Sequence, residues 1–89
     1  MHPRVSQHKT GVAEANALLR IDELIKELDD GGLSASLMRE HLDAAHFYLL
    51  GGMPHEYGIS LQLAQESLPD VEDEGLRGRI ANFIGTAPA

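Results

Sequence analysis

A chain of 89 residues with 14 acidic and 7 basic side chains, a formal charge of −7 and no cysteine makes one small domain. It sits near the lower limit of independent folding. The missing cysteine removes disulfides, thiolate zinc sites and cysteine nucleophiles. The negative balance argues against nucleic acid and anionic membrane as partners, since both need a basic footprint.

Met1 to Gly11 is polar and mixed, with His2, Pro3, Arg4, Ser6, Gln7, His8 and Lys9. It lacks the apolar stretch of a secretory signal, and no later run is long enough to span a bilayer, so a cytoplasmic protein is expected. Residues 1–10 and 86–89 read as mobile tails around a single helical domain, 11–85. The expected fold class is all-α: a compact bundle of four short helices at about 12–29, 35–50, 54–68 and 71–84.

The first helix has Thr10 as its expected N-cap and Ala17, Leu18, Ile21, Leu24, Ile25 and Leu28 on one arc of a 100° wheel. Arg20, Asp22, Glu23, Lys26 and Glu27 take the other side, with Asp22 and Lys26 at favourable i,i+4 spacing. Gly31-Gly32 stops this helix, because glycine accepts the left-handed conformation of a helix end. Glu27, Asp29 and Asp30 crowd that end, where the helix dipole is already negative. They read as a tolerated surface cost, or as a docking spot for a basic group.

In the second helix, Ser34 is the expected N-cap, with Leu33 packing on Met38 as a hydrophobic staple. Leu37, Met38, His41, Leu42, Ala44, Ala45, Tyr48 and Leu49 share its apolar arc. Phe47 and Leu50 fall among its polar residues. Gly51-Gly52 ends it. Pro54 opens the third helix and Pro69 stops it, with Tyr57, Leu61, Ala64 and Leu68 as one stripe. Ile59 and Leu63 point almost the other way. The same stretch alternates, so residues 57–64 also fit a short strand, although no second strand would partner it.

Asp70 is the expected cap of the fourth helix, with Leu76, Ile80, Phe83 and Ile84 facing inward and Gly85 as its end. Gly75 and Gly78 weaken this helix but would permit close approach of a neighbouring backbone.

No cluster of residues spells out a reaction, so neither a catalytic residue nor a cofactor is assigned. His41, His46 and His55 stand near Glu40, Asp43 and Glu56, and Asp43 and His46 are three apart on one helix. Carboxylate-bridged metal bundles repeat a Glu-x-x-His unit on two helices, whereas this chain has one Asp-x-x-His. His46 is expected to pair with Asp43 in solvent, and His41 to be a core histidine.

Three partial resemblances follow from particular residues. His46 with the following glycine pair is similar to the centre of a histidine phosphotransfer domain, which would imply phosphotransfer at His46. That family places lysine and glycine three and four residues later, where this chain has Leu49 and Leu50. Ser36-Leu37 after Asp29-Asp30-Gly31-Gly32 resembles a carrier-protein attachment site, but Ala35 stands where that family has aspartate. The stretch Leu42 to Pro69, through Ala45, Tyr48, Leu61 and Ala64, is similar to a single tetratricopeptide unit and implies a tight helical hairpin. The pattern fails on both sides of it.

Val12, Leu19, Phe47, Leu50, Ile59 and Leu63 all lie off the main stripe of their helices. One such side chain is ordinary; six on three helices suggest a second apolar surface. The expected function is therefore a small acidic helical protein–protein interaction or regulatory module without catalytic activity. Through those six it is expected to self-associate as a dimer, or to present a groove to another protein. The alternative is a metal-binding or phosphotransfer protein centred on Asp43 and His46.

Overall fold

The structure, a computed structural model, describes the backbone of residues 3–87 and the side chains of residues 11–87. Four α-helices follow in order: α1 (Pro3–Asp30), α2 (Leu37–Leu50), α3 (Pro54–Glu66) and α4 (Glu74–Thr86). A 3-10 turn, Leu68–Asp70, lies before α4. Residues 57–64 are helical, so the strand reading is set aside.

Several expected boundaries move. The first helix reaches back to Pro3, and Thr10 lies inside it rather than at its N-cap. The tails expected at 1–10 and 86–89 lie outside the described residues at Met1, His2, Pro88 and Ala89, while Thr86 closes α4. Ser36, not Ser34, caps α2 by accepting from the Arg39 amide at 3.2 Å. Asp73, not Asp70, caps α4 by accepting from the Leu76 amide at 3.0 Å. In both cases the residue three positions before the bonded amide wins, because only that spacing lets a short oxygen reach an orphan donor.

The glycine pairs act as expected, through their second members. Gly32 (φ 80°) and Gly52 (φ 71°) take the left-handed conformation. Around the first, the amide of Leu33 donates to the Leu28 carbonyl (2.7 Å) and that of Gly32 to Asp29 (3.1 Å). Around the second, Met53 donates to Tyr48 (2.9 Å) and Gly52 to Leu49 (3.2 Å). Both are Schellman ends, which satisfy the last carbonyls and reverse the chain within a few residues.

The core is apolar and drawn from all four helices. Ile21, Leu24 and Leu28 of α1, Met38, Leu42 and Ala45 of α2, Tyr57, Leu61 and Ala64 of α3 and Leu76, Ile80 and Phe83 of α4 are buried, as is Ala17. Ile25, Tyr48, Leu49, Leu68 and Ile84 pack on it while partly exposed. Two positions depart from the expected arcs. Leu37 is exposed, because it opens α2 before the helix reaches its neighbours. Val71, between the 3-10 turn and α4, is buried. Gly78 makes no close approach: a Cβ there would meet nothing within 4 Å. At Gly75 a Cβ would meet only the side chains of Arg79 and Asp73, so neither glycine serves a helix crossing.

α2 is the central helix, packed between α1 and α3, with α4 lying on α1. α1 has 28 residues against 13 or 14 in the others. At 1.5 Å per residue it is about 42 Å long, roughly twice its neighbours. Among the described side chains of α1 the first buried one is Ala17, and Ala13 and Asn16 line a pocket with Phe83 and Thr86 of α4. The molecule measures 49 × 20 × 19 Å.

Candidate interaction surface

The acidic end of α1 is answered by arginines from two other helices. Arg39 of α2 donates to Asp29 at 3.3 and 3.5 Å. Arg79 of α4 pairs with Glu27. The crowding that reads as a surface cost in sequence thus ties α2 and α4 to α1. The Arg39 hydrogen bond, with Ser34 adding to it, holds the Asp29 carboxyl below its ordinary pKa, and the Asp29 and Glu27 bonds raise the pKa of Arg39 and Arg79.

Asp43 and His46 do not form a unit. Asp43 lies 3.7 Å from Arg39, while His46 Nε2 lies 3.2 Å from Asp22 Oδ1 of α1. The pairing of His46 with Asp43 is therefore corrected to Asp22, which packing of α2 on α1 brings into reach. His41 is half-buried rather than in the core, and His55 is exposed. Among the described residues no group of three or more His, Asp or Glu side chains gathers where a metal would sit.

The six off-stripe apolar residues are all exposed, from 41% at Leu63 to 69% at Leu50. Leu37 and Met53 join them. The six do not share one surface. Ile59 and Leu63 of α3 line a groove of about 290 Å³ with His41, Ala44 and Tyr48 of α2 and with Glu56 and Ser60 of α3. Phe47 stands on its α2 side, its ring edge-on to Tyr48 with centroids 5.4 Å apart. Leu50 lies toward α1: the Asp29–Arg39 and Asp22–His46 pairs define one antiparallel register that puts it level with Leu18, the neighbour of Leu19. Val12 lies two turns before Leu19 on α1.

Glu56 is the carboxylate that lines the α2–α3 groove. From Arg39 to Arg77 the chain carries carboxylates at Glu40, Asp43, Glu56, Glu66, Asp70, Glu72, Asp73 and Glu74, and no lysine or arginine between. Arg39 itself is turned to Asp29. Of this groove the sequence singles out Ile59 and Leu63, whereas His41, Ala44 and Tyr48, at helical spacing on α2, were read there as part of the inward arc.

Comparison with protein-family models, with curated proteins and with solved structures finds no match to this chain. α2 and α3 do make the tight hairpin that the tetratricopeptide resemblance implies, with Ala45, Leu61 and Ala64 buried in it. No helix among the described residues is long and apolar enough to cross a membrane.

Proposed function

We propose that this chain is a small acidic helical interaction module, without catalytic chemistry of its own, that self-associates as a dimer. The observation that carries the reading is the exposure of Val12, Leu19, Phe47, Leu50, Ile59 and Leu63 on a domain of 89 residues. Burying one such side chain is worth roughly 1.5–3 kcal/mol, and a domain's whole stability is roughly 5–15 kcal/mol. Covering even a few of them therefore matters to this molecule. Phe47 and Leu50, at 65% and 69% exposure, have the most to gain. The metal or phosphotransfer alternative at Asp43 and His46 has less support, since each faces a different ion-pair partner.

Sedimentation of the purified chain at micromolar concentration tests the proposal. A dimer is expected for the natural chain, and a folded monomer, by circular dichroism, for Phe47→Asp. A natural chain that stays monomeric up to millimolar concentration overturns self-association.

A further inference from the structure

The α2–α3 groove has walls on both sides, and its chemistry specifies an occupant. Ala44 and Tyr48 form one wall, Ile59 and Leu63 the other. From His41 to Tyr48 the α2 wall runs about 10 Å, or two helical turns. Glu56 lines the groove directly, and Glu40 of α2 and Glu66 of α3 are exposed on the two helices that form it. No lysine or arginine lies on α3, and the one on α2, Arg39, is turned away to Asp29.

We propose that this groove binds an amphipathic helix of another protein, with apolar anchors at i, i+4 and i+7 flanked by lysine or arginine. The apolar stripe of such a helix replaces water on Ala44, Tyr48, Ile59 and Leu63, and its cations meet Glu40, Glu56 and Glu66. A second copy of this chain suits the groove less well. Each copy carries −7, and among the described residues Arg20, Arg39 and Arg79 are held in ion pairs and Arg77 donates to the Val71 carbonyl at 2.8 Å, which leaves Lys26 of α1 as the exposed cation. The inference deepens the interaction-module reading and rests on it, but not on the dimer, whose most exposed residues, Phe47 and Leu50, lie outside the groove lining.

The test uses three synthetic peptides against the full chain, followed by amide and methyl NMR shifts. The first is an amphipathic helix with a leucine stripe and lysine flanks. The second keeps the stripe and replaces lysine by glutamate, and the third is a scramble of the first with no apolar face. Saturable one-to-one binding of the first peptide alone is expected, with shifts centred on Ala44, Tyr48, Ile59 and Leu63. The other two should bind about tenfold more weakly or worse. Leu63→Asp should abolish binding, and Leu63→Met should keep it with the same folded spectrum.

Equal binding of the scramble would reduce the effect to charge alone and overturn the proposal. So would absence of binding, or groove shifts that follow the chain's own concentration with no peptide present, which assign the groove to a second copy. A dimer by sedimentation with no peptide binding sinks the groove proposal and leaves the self-associating module standing. A monomer that binds the first peptide does the reverse.

Discussion

Tyr57 carries an unpaired polar atom into the core. Its hydroxyl is buried with no hydrogen-bond partner among the described residues, and burial pushes its pKa up. A buried hydroxyl without a partner costs about 1 kcal/mol or more, whereas the ring itself contributes apolar area. Tyr57→Phe is therefore expected to stabilise the fold by about 1 kcal/mol, which raises the melting temperature by about 4–8 °C in a domain of this size. A lowered melting temperature would mean that the hydroxyl does have a partner. Asp29 gives a second test at this scale. Its folded pKa is lowered, so its contribution is complete above the unfolded value of about 3.9 and is lost as pH falls through the lower folded value. Asp29→Asn should therefore flatten the acid limb of a stability profile below about pH 4 and leave its shape near neutrality unchanged. Because the pair is exposed, added salt should shrink the difference.

At the scale of the elements, two kinds of glycine can be told apart. Gly32 holds φ at 80°, so alanine there strains the Schellman end of α1 and should cost about 1 kcal/mol or more. Gly78 sits inside α4 with open space where a Cβ would go. Gly78→Ala should stabilise by about 1 kcal/mol through helix propensity. Urea titration of the two variants is expected to move the midpoint in opposite directions, and a shift in the same direction would contradict the assignment. The helices themselves were legible because their signals are local. A run of apolar residues at i, i+3 and i+4 gives Ile21, Leu24 and Leu28 their inward face whatever else the chain does. The caps were less legible: Ser34 and Ser36, or Asp70 and Asp73, are chemically equal candidates, and the choice rests on where the chain enters the bundle. The 3-10 turn around Pro69 takes Leu68, which pattern alone assigns to α3, and it delivers Val71 into the core.

At the scale of the whole molecule, charge and apolar exposure act in opposite senses. Two copies at −7 repel each other, while Phe47 and Leu50 gain by being covered. Raising ionic strength screens the repulsion and strengthens apolar association, so the dimer should tighten as salt is added. Binding of a lysine-flanked helix in the α2–α3 groove should weaken under the same change, since its attraction is partly electrostatic. Sedimentation and peptide titration across a salt series read the two signs separately. A dimer that loosens with salt would show that its contact is made by ion pairs rather than by Phe47 and Leu50.

From the sequence by itself came the four helices, the stops at Gly31-Gly32 and Gly51-Gly52 (though not at Gly85, which lies inside α4), the inward faces and the outward position of the six off-stripe apolar residues. Each of these follows from dihedral preference or from spacing within a few turns, and such rules need no knowledge of the neighbours. Tertiary structure alone decided which charges meet and where a groove opens. Glu27 and Arg79 lie far apart in the chain, His46 turns to Asp22 rather than Asp43, and Ile59 faces Ala44 across a seam between helices. These relations depend on how rigid helices settle against one another, which no window of sequence contains.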